Sequence, residues 1–343
     1  MIERSSPRLS VVIPTYNGRA LLERCLASLD QHSPPGVEIL VIDDASTDGT
    51  AEWISAIHPA VRLLRMEKNG GFCTTANAGL AAAKGEFVQL LNNDTEVTEG
   101  WYEAALRPFE NPAVGSVAPL VLVLSEPDRV DSAGDSYAFF GWPTKRGHGE
   151  SAAEWAVRPA DRVFGASGAA AIYRASALRR SGLLDPSFGS YYEDVDLAFR
   201  LRWAGYECEF APSCRILHAI SATFDHARPG LQRQMARNAE LVYWANLTRT
   251  WLAISVVPHA GFVMAQGLAR LMRGRFGPFW RGKCDALSLL GRDLAGRRRL
   301  RTDLARSAVH RPNFPLRVNP LGDVRNHIGR PAETNQGLAS RSD

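Results

Sequence analysis

An α/β fold with a mostly parallel central sheet and a helical C-terminal extension is what the sequence predicts, on three observations. Between Leu9 and Val121 short apolar runs alternate with turns and with segments of helical spacing. The runs are almost continuously apolar, as strands are when both faces of a parallel sheet are covered. From about residue 229 onward only helical character remains.

The strands are expected at "LSVVI" (9–13), "VEILVI" (37–42), "VRLLRM" (61–66), "EFVQLL" (86–91) and "VGSVAPLVL" (114–122). Between the first two, Leu21, Leu22, Cys25, Leu26 and Leu29 recur on one helical face. In such sheets ligands gather at the carboxyl ends of the strands. Those ends read "PTYNG", "DDASTDGT", "EKNGGF" and "NNDTE". Each is ordinary turn chemistry alone; four along one edge form the rim of a cleft.

From about 123 to 166 the stretch "DSAGDSYAFFGWPTKRGHGE" predicts loops or a short hairpin. The small-residue run 165–171 suits a segment packed closely on another element. A helix through "EDVDLAFRLRW" is capped by Gly205. A final pair of strands, "YECEFA" and "CRILH", ends at His218.

At 343 residues, with 45% apolar and 22% charged side chains, the chain can bury a core of domain size and leave an extension. Five scattered cysteines without a C-x-x-C pair suggest neither a zinc knuckle nor a disulfide framework, and imply buried thiols in a reducing compartment. The N-terminal "MIERSSPRLSVVIPTYNG" lacks the apolar core of a signal peptide, so the protein is expected not to be secreted. Charge is local: Arg270 to Arg311 holds twelve Lys or Arg against three Asp, which points to a partner surface there. Just before it, 250–269 carries no Lys, Arg, Asp or Glu. That stretch fits a helix lying at a membrane surface, a single span, or a buried helix with a solvated basic face. The last thirty residues are expected to form a disordered tail.

Asp94, alone among amides at the fourth strand end, suits a hard cation such as Mg2+ or Mn2+, which takes one or two carboxylates and completes its shell with phosphate and water. "GGFCTTANAGL" has neither P-loop nor G-x-G-x-x-G spacing, which sets aside kinases, P-loop NTPases and dinucleotide dehydrogenases.

The ordered set "SVVIPTYNG", "VIDDASTDGT", "NGGF", "GEFVQLLNNDTE" and "DPSFGSYYEDVDLAFRLRWAGYE" resembles the family 2 glycosyltransferases, and more narrowly the bacterial rhamnosyltransferase-like branch. The likeness runs from about 9 to 225 and more weakly to about 300, through "RN" at 237–238. It implies a GT-A (nucleotide-diphospho-sugar transferase) fold, a nucleotide-diphosphate sugar donor such as dTDP-rhamnose or a UDP-hexose, and inversion at the anomeric carbon. It places Pro14, Thr15 and Tyr16 along the nucleotide and Asn69 toward nucleotide or sugar. Asp44 would accept from the pyrimidine N–H, with Asp43 bracing the loop. Asn92-Asn93-Asp94 falls on the D-x-D-type motif, leaving Asp94 as the anionic metal ligand and Asn93 for a ribose hydroxyl or a metal-bound water. His218 stands where some relatives ligate the metal; the alternative is a histidine hydrogen-bonded in the core.

The same resemblance assigns the E-D pair to Glu193 and Asp194, with Asp194 as the base that deprotonates the acceptor and Glu193 beside it. Asp196 is read as a helix-surface partner of Arg200 at i, i+4. Phe199 replaces the Gln of the Q-x-x-R-W motif of processive relatives, which implies a single addition. The expected organisation is a catalytic domain over 1–228, a basic helical extension over 229–310 and a tail over 311–343. The acceptor is expected to be a glycan or lipid-linked, in cell-surface polysaccharide synthesis at the inner face of the plasma membrane, with no nucleic-acid partner. A sugar-nucleotidyltransferase and a non-catalytic sugar-binding module are the other classes in view.

Overall fold

The computed structural model describes residues 7–220 and 228–317. β1 (Leu9–Thr15), α1 (Arg19–His32), β2 (Glu38–Asp43), α2 (Thr50–Ile57), β3 (Arg62–Arg65), α3 (Phe72–Ala82) and β4 (Phe87–Leu90) form three strand–helix units and a closing strand, where the apolar runs lie. β5 (Thr95–Val97), α4 (Trp101–Leu106) and β6 (Val114–Val123) follow. The 123–166 stretch holds more structure than loops or one hairpin: β7 (Glu126–Ser132), β8 (Asp135–Ala138), β9 (Trp142–Lys145), α5 (Ala152–Ala156) and β10 (Arg162–Val163). β11 (Ile172–Arg174), α6 (Ala175–Ser181), α7 (Glu193–Trp203) and β12 (Glu207–His218) complete this part. The extension is α8 (Pro229–Asn246), α9 (Arg249–Met272) and α10 (Phe276–Arg306), and the described chain ends in β13 (Leu316–Arg317).

The main sheet runs β10-β12-β6-β11-β4-β1-β2-β3. β1 pairs in parallel with both β2 and β4, β2 with β3, and β6 with β12, while β11 runs against both β4 and β6. Six strands thus point one way, with β11 reversed among them. The period-two pleat sorts β1 between two cores. Val11 and Ile13 meet α1 through Leu22, Cys25, Leu26 and Leu29, and Val12 meets α3 through Cys73, Ala76 and Leu80.

The two last strands expected from the sequence are one strand, β12, with a register shift between Ala211 and Arg215. Pro212 lies in that shift, where a residue without an N–H costs no ladder bond. β8 and β9 form a second small sheet with β13. There the chain returns: Val309 N donates to Ala204 O, Arg202 Nη1 donates to Asn313 O at 2.9 Å, and the Phe314 ring lies 4.3 Å from that of Trp203. Gly205, at φ +85°, makes room for this strap, since a Cβ there would fall 2.3 Å from His310 O. Residues 311–317, expected as the start of a disordered tail, are therefore seated against the end of α7; 318–343 lie outside the described residues.

Of the three readings of 250–269, burial is not what the helix shows. Ser255, His259 and Gly267 are the buried positions of α9, and Val257 and Met264 are about three-quarters exposed (76% and 75%). By length and composition the helix is apolar enough to cross a membrane.

Candidate active site

Strand order turns back at β1, which has β2 on one side and β4 on the other. The crevice beyond the carboxyl ends of β1 and β4 is therefore the switch point at which ligands bind in such sheets. Asn93 Nδ2 bridges it, donating to Thr15 Oγ1 at 2.9 Å. Pro14 and Thr15 are buried at the end of β1, and Tyr16 is exposed on the rim.

Both oxygens of Asp44 accept backbone N–H groups of the third strand end, Gly70 at 2.7 Å and Gly71 at 3.0 Å, and so hold the loop that carries exposed Asn69. Asp43 lies deeper. Its Oδ1 accepts from Ser46 N at 3.1 Å, while Oδ2 is buried without a hydrogen-bond partner, 3.5 Å from Arg65 Nε. The bracing expected of Asp43 is shared with Asp44.

At the end of β4, Asp94 is buried with His218 Nε2 3.3 Å from its Oδ1. The other ring nitrogen, Nδ1, lies 3.0 Å from Asp131 Oδ2, and Lys145 Nζ reaches Asp131 Oδ1 at 2.7 Å. Burial opposes a charge on His218, yet Asp131 and Asp94 outweigh it and hold the imidazole up at about 9. Burial likewise opposes a charge on Asp131, but His148, His218 and Lys145 keep its carboxyl well below the usual range.

The donor set fits a divalent cation that would displace the His218 proton, since only the neutral imidazole ligates. Asp94 Oδ1 is buried and lacks a hydrogen-bond partner, and a carboxylate holding the far nitrogen of a histidine is the usual support of a metal-binding imidazole. Neighbouring ligand atoms on a small cation at ~2.1 Å stand roughly 3 Å apart, close to the spacing of Asp94 and His218. Among the described residues no group of three His, Cys, Asp or Glu side chains forms a cage, so the remaining ligands would be substrate and water.

Glu193 and Asp194 open α7. Asp194 Oδ2 accepts from Gly168 N and Oδ1 from Val195 N, both at 2.8 Å. Gly168 permits this approach, because a Cβ there would stand 3.3 Å from Asp194 Oδ2 and 3.5 Å from Glu193 Oε1. The next residue, Ala169, accepts from Asn92 N at 2.9 Å, so the two acidic stations share one lip of the cleft. Tyr191 is near enough to feel both. Burial and then the charges of Glu193 and Asp94 push its phenol up to about 12. Burial and the Asp194 charge raise Glu193 well above the carboxylate range; burial raises Asp194 too, against its two N–H donors.

Asp196 does pair with Arg200, at 2.8 Å, but the pair is buried and not on the helix surface: Asn246 Nδ2 donates to Asp196 Oδ1 and Arg200 Nη1 to Ser181 O. Phe199 is fully buried among Tyr137 and Phe164 and lines no cleft. Sequence reading missed Asp131, Lys145 and Gly168. Asp131 stands in "DSAGD", whose Asp, Ser and Gly read as turn chemistry and carry no signal of their own.

Residues 10–181 match glycosyl transferase family 2. Over 233 residues the chain is 31% identical to the pre-mycofactocin glycosyltransferase of Mycobacterium tuberculosis, covering 67% of this chain and 45% of that protein, so it spans less than half the length of that relative. The N-acetylglucosaminyl-diphospho-decaprenol L-rhamnosyltransferase of the same organism is 32% identical over 235 residues, covering 61% of this chain and 75% of that protein. The mannosyltransferase PcManGT of Pyrobaculum calidifontis, solved with GDP-Man and Mn2+, superposes with a TM-score of 0.53 at 18% identity, covering 89% of this chain and 87% of that one.

Proposed function

This chain belongs to glycosyl transferase family 2 and is a glycosyltransferase with the GT-A fold, and from this we propose that it moves one sugar from a nucleotide-diphosphate donor, dTDP-rhamnose or a UDP-hexose, to a glycan or lipid-linked acceptor, with inversion. The observation that carries the reading is the placement of Asp94 with His218 and of Asp194 on one lip, joined through Asn92, Ala169 and Gly168.

In this reaction Pro14, Thr15 and Tyr16 line the nucleotide, and Asn93 keeps its Oδ1 for a ribose hydroxyl. Asp44 shapes the Asn69–Gly71 loop and retains lone pairs for the pyrimidine N–H. A divalent cation held by Asp94 and His218 would supply Lewis-acid stabilisation of the charge left on the departing diphosphate. Asp194 takes the proton of the acceptor hydroxyl on the other face of the sugar. Glu193, more deeply buried and with Oε2 unpartnered, stays neutral to higher pH and holds the acceptor. Residues 1–228 form the catalytic domain, and α9 with the following basic residues is the membrane-facing part of 229–310. Exposed Ile254, Val257, Met264, Leu268 and Met272 form its apolar side, and Arg273 and Arg275 follow. On this reading the protein works at the inner face of the plasma membrane, in cell-surface polysaccharide synthesis.

The test is a panel of sugar nucleotides incubated with polyprenyl-diphosphate-linked acceptors and Mg2+ or Mn2+, with product mass identified. Release of free nucleoside diphosphate together with a product one sugar heavier is expected; pyrophosphate or sugar 1-phosphate instead would overturn the reading.

A further inference from the structure

Tyr191 and Tyr192 are consecutive non-glycine residues in the left-handed region, at φ +65° and +72°, directly before Glu193 and Asp194. Each such residue costs roughly 1 kcal/mol or more and persists only where its surroundings over-determine it. Here the surroundings belong mostly to α8 of the extension. Asn238 Nδ2 lies 2.9 Å from Phe188 O, 3.0 Å from Ser190 O and 2.8 Å from Tyr191 O, so its two protons are shared among three carbonyls. Gln234 Nε2 donates to Ser190 O at 2.7 Å and to Ser190 Oγ at 2.9 Å. Arg237 Nη2 donates to Ser187 O and Phe188 O, and its Nε donates to Asn238 Oδ1 at 3.0 Å, which turns the Asn238 amide nitrogen toward the loop. From the other side Cys73 N, at the start of α3, donates to Gly189 O at 3.1 Å. Five successive carbonyls, from Ser187 to Tyr191, are thus held from outside their own loop.

We infer that fully buried Asn238, supported by Gln234 and Arg237, is a positioning residue for Asp194, so that the extension sets the bend from which the base projects. This rests on Asp194 being the base. The loop has no regular ladder of its own, and its carbonyls need donors. Removing the shared amide lets the left-handed pair relax, and a shift of about 1 Å at a catalytic group is enough to cost on the order of 10²-fold in rate.

Asn238→Asp tests this, since it keeps the side chain's size and turns its donors into acceptors facing three carbonyls. Release of UDP or dTDP from UDP-glucose and dTDP-rhamnose is expected to fall at least ~10-fold in kcat, while UDP binding in the presence of Mn2+ stays within about twofold, because the nucleotide side of the cleft is built on β1 and β4. Hydrogen exchange by mass spectrometry should rise in 187–194 and not in 9–15 or 87–90. In an Asp194→Asn background the substitution should cost little further rate. An equal loss in both backgrounds, or unchanged exchange in 187–194, would overturn the inference. Near-normal turnover of Asp194→Asn alone would instead remove the base assignment, leaving the exchange result to report on the loop by itself. Should Asn238→Asp melt below assay temperature by circular dichroism, the same measurements on Gln234→Ala decide, with the same two outcomes.

Discussion

Glu193 and Asp194 are neighbours in sequence and differ in what their oxygens meet. Asp194 keeps two backbone N–H donors that favour its ionised form, whereas Glu193 has an oxygen with none. Burial raises both, so the donors decide which of the two ionises first. Asp194→Asn is expected to retain nucleotide binding and to lower kcat by at least ~10²-fold, measured as turnover beside UDP titration. In the wild type the acid limb of the kcat profile should lie above the ordinary Asp value of 3.8. Asp94→Ala should abolish the increment in nucleotide affinity that Mn2+ brings, read by calorimetry with and without chelator. Motif residues at strand ends were legible because short turns bring them to one edge. Asp131 was not, because its partner His218 is 87 residues away and only the sheet brings them together.

At the scale of elements, periodicity located β1 to β4 and the helix faces that cover them, since each such unit is local. It failed from 123 to 166, where β8 has β9 on one side and β13, from the far end of the chain, on the other. The helices of the extension are joined by a buried polar cluster that apolar periodicity does not announce. Glu240 on α8 meets Lys283 of α10 at 2.5 Å and His259 of α9 at 3.1 Å, and also accepts from Trp244 Nε1. Burial resists the charge on Glu240, but His259 and Lys283 bring its carboxyl down to about 2; burial pulls Lys283 down despite Glu240, so the cluster is worth less than the carboxyl's shift alone. Glu240→Ala, which strands a buried ammonium, should destabilise the protein by about 3–5 kcal/mol in denaturant melts. The depressed carboxyl stabilises the fold above its unfolded value of 4.5, and that contribution is lost as pH falls toward about 2. Near-UV circular dichroism across that range should show the wild type losing stability toward low pH, and the variant showing a shallower dependence.

For the whole molecule, the sequence announced two parts by their composition but not how firmly they are joined. The bonds from α8 to the loop before Asp194 and the strap over Trp203 depend on residues far apart along the chain, beyond the reach of local pattern. The apolar side of α9 and its arginines should bind vesicles containing anionic lipid in flotation, weakening as salt rises. Met264→Asp with Leu268→Asp should reduce that binding several-fold and leave turnover on a soluble acceptor unchanged.

The strap has a consequence for reach. The extension leaves the catalytic part through α8 and is tied back to it by Asn313, Phe314 and β13, so it is moored at both ends. A helix hung from a single linker would let the cleft wander over the bilayer. If α9 meets the membrane as proposed, one fastened twice would act as a gauge block, setting a fixed height and tilt between the lipid headgroups and Asp194. An acceptor whose sugar sits one ring farther from its lipid anchor would then be offered at the wrong height.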